Sequence, residues 1–502
     1  TAVDKIVLNR FLGLPIFLFV MYLMFLLAIN IGGALQPLFD VGSVALFVHG
    51  IQWIGYTLHF PDWLTIFLAQ GLGGGINTVL PLVPQIGMMY LFLSFLEDSG
   101  YMARAAFVMD RLMQALGLPG KSFVPLIVGF GCNVPSVMGA RTLDAPRERL
   151  MTIMMAPFMS CGARLAIFAV FAAAFFGQNG ALAVFSLYML GIVMAVLTGL
   201  MLKYTIMRGE ATPFVMELPV YHVPHVKSLI IQTWQRLKGF VLRAGKVIII
   251  VSIFLSAFNS FSLSGKIVDN INDSALASVS RVITPVFKPI GVHEDNWQAT
   301  VGLFTGAMAK EVVVGTLNTL YTAENIQDEE FNPAEFNLGE ELFSAVDETW
   351  QSLKDTFSLS VLMNPIEASK GDGEMGTGAM GVMDQKFGSA AAAYSYLIFV
   401  LLYVPCISVM GAIARESSRG WMGFSILWGL NIAYSLATLF YQVASYSQHP
   451  TYSLVCILAV ILFNIVVIGL LRRARSRVDI ELLATRKSVS SCCAASTTGD
   501  CH

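Results

Sequence analysis

The sequence predicts an all-α polytopic membrane protein, with about eight spanning helices and two opposed re-entrant, broken-helix hairpins in an inverted repeat. Three observations predict it. Of 502 residues, 56% are hydrophobic and only 13% charged, with a mean hydropathy of +0.68, whereas a soluble chain carries roughly 25% charged residues. Several apolar runs reach the roughly 20 residues that a helix needs to cross hydrocarbon. Two more runs are as apolar but are interrupted by Gly, Pro and polar residues, and such backbone is tolerated at membrane depth only where protein surrounds it.

The runs at 11–31, 76–96, 150–176, 181–202, 246–262, 390–413, 421–441 and 452–471 are long enough to cross; 122–140 and 297–320 are the interrupted ones. Basic residues mark the cytoplasmic side. Arg104, Arg111 and Lys121 precede 122–140, and Arg141, Arg147 and Arg149 follow it, so both flanks are cytoplasmic and the run reads as a re-entrant hairpin. Lys203, Arg208, Lys227, Arg236, Lys238 and Arg243, then Arg415 and Arg419, mark further inner segments, and "RRARSR" (472–477) puts the C-terminus inside. The run 297–320 then has both flanks outside, and the following 322–388, with 14 carboxylates against three lysines, suits an outer face. The opening "TAVDKIVLNR" is polar, contains no cleavable signal peptide and runs into a full span. It reads as the cytoplasmic end of something upstream.

The two interrupted regions resemble each other. "LFLSFLEDSG" (91–100) leads through an amphipathic stretch ending at Gly117 to a break at Gly129 and Gly131; "IFLSAFNSFS" (253–262) leads through another ending at Gly291 to a break at Gly302 and Gly306. The first copy starts outside and the second inside. Inverted repeats with interrupted helices are the recurring architecture of secondary transporters, with the substrate at the breaks. The expected organisation is 1–75, a linker from a preceding cytoplasmic domain, the first span and an outer amphipathic segment; 76–180, the first repeat; 181–245, a middle helix and a cytoplasmic amphipathic segment; 246–321 with 389–415, the second repeat; 322–388, an acidic outer loop; 416–471, the last two spans; and 472–502, a basic, Cys-containing tail.

The chemistry concentrates at the breaks. In "VGFGCNVPSVMGART" (128–142) the glycines permit non-helical torsions and Pro135 removes a donor, so freed carbonyls become potential cation ligands. Cys132 adds a soft sulfur and Asn133 a neutral oxygen. In "PFMSCGAR", Pro157 and Gly162 bracket Met159, Ser160 and Cys161, with Arg164 beside them. Sulfur beside amide oxygen suits a borderline divalent metal such as Fe²⁺ better than Mg²⁺ or Ca²⁺; a membrane cysteine also serves as a small packing residue. "FTGAMAKEVVVGT" (304–316) holds Met308, Lys310 and Glu311. There Glu311 either pairs with a buried cation or ligates and relays protons. Cys406 in "YVPCISVMGA" is a third candidate, whereas Cys456, with no breaker beside it, reads as packing. Glu97 and Asp98, near Arg104, read as an ion-pair clamp. The tail "CCAASTTGDCH" places Cys492, Cys493, Cys501 and His502 together, either as a soft-metal site or as incidental thiols. "LGLPGKS" (116–122) is not a phosphate loop, because Ala115 stands where the first glycine belongs. His222, His225 and His293 form no zinc pattern, and neither a catalytic site nor a nucleic-acid partner is expected.

The combination of "DKIVLNRFLGLPIF", "EDSGYMARAAFVMDR", "GFGCNVPSVMGARTL", "MAPFMSCGARL" and "AMAKEVVVGTL" resembles the membrane region of the bacterial ferrous iron transport protein B family over essentially the whole chain. The resemblance implies a multi-pass protein of the bacterial inner membrane whose paired gate segments are shared with nucleoside-type permeases. It makes Cys132 and Cys161 ligands along the path of Fe²⁺, the transported substrate. It further implies an N-terminal G domain holding GTP and Mg²⁺, expected to end where this chain begins, and a small cytoplasmic Feo accessory protein as partner. The lipid bilayer is the other partner, and a homo-oligomer is left open. A nucleoside-type solute carrier and a membrane metal sensor or scaffold are the alternatives to an iron permease.

Overall fold

The computed structural model describes residues 12–61, 64–207, 221–250, 253–254, 274–322, 337–356 and 377–495, except for 66, 223, 247–248, 309 and 311. Among the described residues every regular element is helical. Six helices among the described residues are long and apolar enough to cross a membrane: Pro15–Thr57, Pro146–Phe176, Gly180–Thr205, Ala390–Glu416, Arg419–Ala444 and Pro450–Arg473. They coincide with six of the eight expected spans. The run at 76–96 is instead divided into Gly74–Val79 and Leu82–Asp98 around a turn at Leu80 and Pro81, and most of the run at 246–262 lies outside the described residues. The chain is a multi-pass helical membrane protein.

Lipid-facing helices are recognisable by what they leave uncovered. Gly180–Thr205 exposes Leu182, Phe185, Val193 and Leu197, and the last span exposes Leu454, Leu458, Leu462 and Val466. Contiguous apolar surface of that extent is stable only against hydrocarbon or a partner. The internal core lies between the two repeats, where Phe171, Phe387 and Tyr396 meet at ring separations of 5.3–5.6 Å.

The same order of elements occurs twice. In the first repeat, Tyr101–Leu116 ends at Gly117; then come Phe123–Val128 and Asn133–Gly139, joined by a break, and Pro146–Met155 and Gly162–Phe171, joined by another. In the second, Ala275–Ile283 and a 3₁₀ segment, Thr284–Ile290, end at Gly291; then come Trp297–Met308 and Val312–Thr322, and Ala390–Leu402 and Ile407–Glu416. Both terminal glycines are left-handed, at φ 76° and 93°, which an L side chain adopts only with strain. At Gly291 a Cβ would also lie 2.7 Å from Tyr441 Cδ2. The repeats interlock, with Asn133–Gly139 against Ile407–Glu416 and Gly162–Phe171 against Val312–Thr322.

The acidic segment 322–388 is not all loop. It contains the helix Leu338–Thr356, which packs on Gln36–Ser43 and on Gly13–Ala34, with Glu341 Oε2 2.8 Å from His49 Nδ1.

Candidate functional site

Three of the four interruptions place a cysteine at the same structural position, whereas the break expected at Gly302 and Gly306 is displaced: both glycines lie inside the helix Trp297–Met308, and the chain turns at Lys310. Cys132, Cys161 and Cys406 are the extended residues immediately before Asn133–Gly139, Gly162–Phe171 and Ile407–Glu416. All three are half-buried and outside any disulfide. At this position the following N–H groups have no intrahelical acceptors, so the thiols stand where the backbone has left its own ladder.

The first two breaks touch. The Gly162 N–H donates to the Gly131 carbonyl at 3.2 Å, so Cys132 and Cys161 are the direct chain neighbours of the two bridged residues. Gly131 is glycine because a Cβ would strike the Phe25 ring and come within 2.8 Å of Met89 Sδ. Cys132 packs against Ala28, Met89 and Val128. Asn133, 4% exposed, ties the breaks a second time. As placed, its amide nitrogen reaches the Met159 carbonyl at 3.4 Å; with oxygen and nitrogen exchanged it reaches Gly129 O at 2.8 Å and Ala156 O at 3.2 Å. The orientation of an amide is an assignment, and in both the nitrogen serves a carbonyl of the 156–159 segment.

Arg164 changes what this break can offer. Its guanidinium, 1% exposed, donates through Nη1 to the Pro157 and Met159 carbonyls at 3.1 and 3.0 Å. These two carbonyls, freed by the interruption, are therefore taken by a cation of the chain itself and are poor ligands for another. The Ser160 hydroxyl, between them and Cys161, is buried beside the Tyr188 phenol without a well-formed hydrogen bond. A buried hydroxyl in that state costs about 1–3 kcal/mol, and an arriving ligand would recover it.

The second pair of breaks is joined differently. Lys310, 3% exposed, donates from Nζ to the Val404 carbonyl at 3.3 Å and lies 3.5 Å from the centre of the Tyr403 ring. The Tyr403 hydroxyl donates to the Leu303 carbonyl at 3.1 Å, and Gly306 leaves room for it, since a Cβ there would lie 2.6 Å from that oxygen. Glu311 lies outside the described residues, as do the side chain of Met308 and the thiols and imidazole of Cys501 and His502. Cys492 and Cys493 fall on the last turns of Pro450–Ala495, with their side chains likewise outside.

Glu97 pairs with Arg236 at 2.9 Å and Asp98 accepts from Gln232 at 3.3 Å, so the clamp expected with Arg104 is made to the helix Val226–Phe240. Arg104 instead donates to the Gly100 carbonyl at 2.7 Å and stacks on Tyr221 at 3.6 Å. Burial, with Tyr221 beside it, pushes the Tyr101 phenol up to about 12. A cavity of about 400 Å³ runs behind the first hairpin from Val128 and Pro135 to a charged rim of Glu97, Lys121, Arg141 and Arg236. Arg141 pairs with Glu416 of the second repeat.

Among the described residues no three of His, Cys, Asp and Glu gather as a metal cage. The first pair of breaks offers two thiols, a buried hydroxyl and backbone oxygen. Sequence reasoning missed the roles of Arg164, Met89 and Tyr403. Only Arg164 carried a signal, because a lone Arg in a span must be satisfied internally.

Two family models match the chain: Gate, described as Nucleoside recognition, over residues 79–175 and 241–419, more than half of the chain, and Ferrous iron transport protein B C terminus over 184–236. The protein named Fe(2+) transporter FeoB of Shigella flexneri is 99% identical over 502 residues, 100% of this chain and 65% of that protein. The like-named protein of Salmonella typhimurium is 94% identical over 501 residues, again 100% and 65%. That of Legionella pneumophila is 50% identical over 480 residues, 93% of this chain and 62% of its own length. The chain thus spans just under two thirds of the length of these relatives. No solved structure matches it.

Proposed function

We infer function from one premise: the chain belongs to the Gate family and to the Fe(2+) transporter FeoB family. We propose that it is the permease part of a ferrous iron importer of the bacterial inner membrane, with both ends cytoplasmic. In this reading Fe²⁺ sheds water at the first pair of breaks, where Cys132 and Cys161 supply sulfur and Ser160 and freed backbone supply oxygen. Asn133 keeps the two breaks together through its amide nitrogen and offers its oxygen. Met159 acts through its carbonyl, which Arg164 occupies, and so positions the break without ligating. Cys406 lines the second repeat. Met308, Glu311 and the tail residues Cys492, Cys493, Cys501 and His502 remain proposed donors.

The observation that carries the reading is the Gly162 N–H to Gly131 carbonyl bond, which sets two thiols on adjoining backbone beside a buried hydroxyl. Thiolate with neutral oxygen is borderline-soft chemistry. Two protein sulfurs with no third strong ligand among the described residues suit a metal in transit better than a resident one, because conduction requires binding weak enough to leave. The ion would then pass behind the first hairpin to the charged rim, where Arg141–Glu416 and Arg236–Glu97 have to loosen. GTP and Mg²⁺ in an N-terminal G domain would bias that change through different affinities for the closed and open states, with a small Feo accessory protein as a further partner.

The test is anaerobic Fe²⁺ uptake by the full-length protein with Cys132→Ser, Cys161→Ser and both together, at matched expression. Uptake should fall at least tenfold in the double variant. Parental uptake in all three would remove the thiol path. Competition by nucleosides without loss in the thiol variants would favour an organic solute instead.

A further inference from the structure

We propose that Lys310 is a tethered cation that holds the second pair of breaks closed, so that no free metal ion occupies them while the lysine is in place. The Lys310 ammonium sits on the Tyr403 ring at 3.5 Å and on the Val404 carbonyl at 3.3 Å. An aromatic face and a carbonyl outside any helix together make a receptor for a desolvated cation, and the chain fills it with its own side chain. The receptor is built rather than incidental. Tyr403 is held in place by its hydroxyl on the Leu303 carbonyl, and the lack of a side chain at Gly306 admits that hydroxyl.

The geometry also distinguishes Lys310 from the other buried cation. Arg164 satisfies carbonyls five and seven residues before it in its own segment. Lys310 instead reaches 94 residues along the chain, from the break before Val312–Thr322 to the break before Ile407–Glu416. It therefore fastens one interrupted helix to the other. Moving either helix requires the ammonium to leave its ring, and a second cation approaching the site meets a like charge at low dielectric. The role assigned to Lys310 is positioning and exclusion, and it is independent of which solute crosses at the first pair of breaks.

Cys406, two residues beyond Val404, reports on the fastening. The full-length protein in detergent, without iron, is treated with a maleimide and the modification of the Cys406 peptide is followed by mass spectrometry. Lys310→Met should raise the rate by on the order of tenfold, the weight of a desolvated cation–π contact. Lys310→Arg, which keeps a cation, should stay near the parent. Lys310→Ala should also react fast, and ethylammonium should slow it again, while tetraethylammonium, too large for the site, should not. Parental rates in the Met and Ala variants, or equal effects of the two ammonium ions, overturn the proposal. Should both lysine variants fail to fold, Tyr403→Leu carries the test. It must speed the reaction while Tyr403→Phe does not, and equal rates overturn the proposal. Because no iron is present, this result stands apart from the outcome of the uptake experiment.

Discussion

The two repeats share an order of elements but differ in what crosses between their breaks. In the first, the bridge is a neutral backbone N–H on a glycine carbonyl, flanked by two thiols. In the second, the bridge is an ammonium on a carbonyl and an aromatic ring. A lysine held at such depth on a ring and a carbonyl marks a place where a cation is accommodated. One repeated scaffold thus offers a position with sulfur donors and a position filled by a cation of the chain itself. Repetition of a fold does not repeat a site.

Several substitutions would break or sharpen this contrast. The largest expected effect is the loss of uptake in the Cys132→Ser, Cys161→Ser double variant, against a much smaller change for Cys406→Ser, measured as anaerobic Fe²⁺ flux; equal losses would erase the distinction between repeats. Next is Arg164→Met, which takes the guanidinium donor away from the buried Pro157 and Met159 carbonyls. Thermal unfolding should show a loss of about 3 kcal/mol, with partial recovery in Arg164→Lys.

Gly131→Ala and Gly306→Ala follow. Each adds a methyl where the neighbours are Phe25 and Met89, or Val313 and the Tyr403 hydroxyl, and each should cost about 1–3 kcal/mol by the same measurement. Only the second should also speed Cys406 alkylation. The smallest effect belongs to Glu416→Gln, which weakens a pair whose arginine is half-exposed. Its cost should stay within about 1 kcal/mol, and it should appear as salt-insensitive stability rather than as lost folding.

Much of this was legible in the sequence because it is local. Gly117 and Gly291 end amphipathic stretches, and helices end there in left-handed caps. Pro and Gly around Cys132, Cys161 and Cys406 foretold the interruptions. What could not be read is pairing across the chain. Counting freed carbonyls did not reveal that Arg164 takes two of them, and the proximity of Glu97 to Arg104 in sequence concealed the Arg236 partner. The helix Leu338–Thr356 was hidden by its charge. Its covered residues, Leu342, Ala345, Thr349 and Leu353, recur every three or four positions along one face, but 14 carboxylates across the segment dominate any reading by composition.

The most direct measurement is the iron X-ray absorption spectrum of the full-length protein loaded anaerobically with Fe²⁺. Sulfur should appear in the metal's first coordination shell, and it should vanish in the Cys132→Ser, Cys161→Ser double variant. A parent spectrum containing only oxygen and nitrogen neighbours, at an iron stoichiometry that both proteins share, would contradict the account.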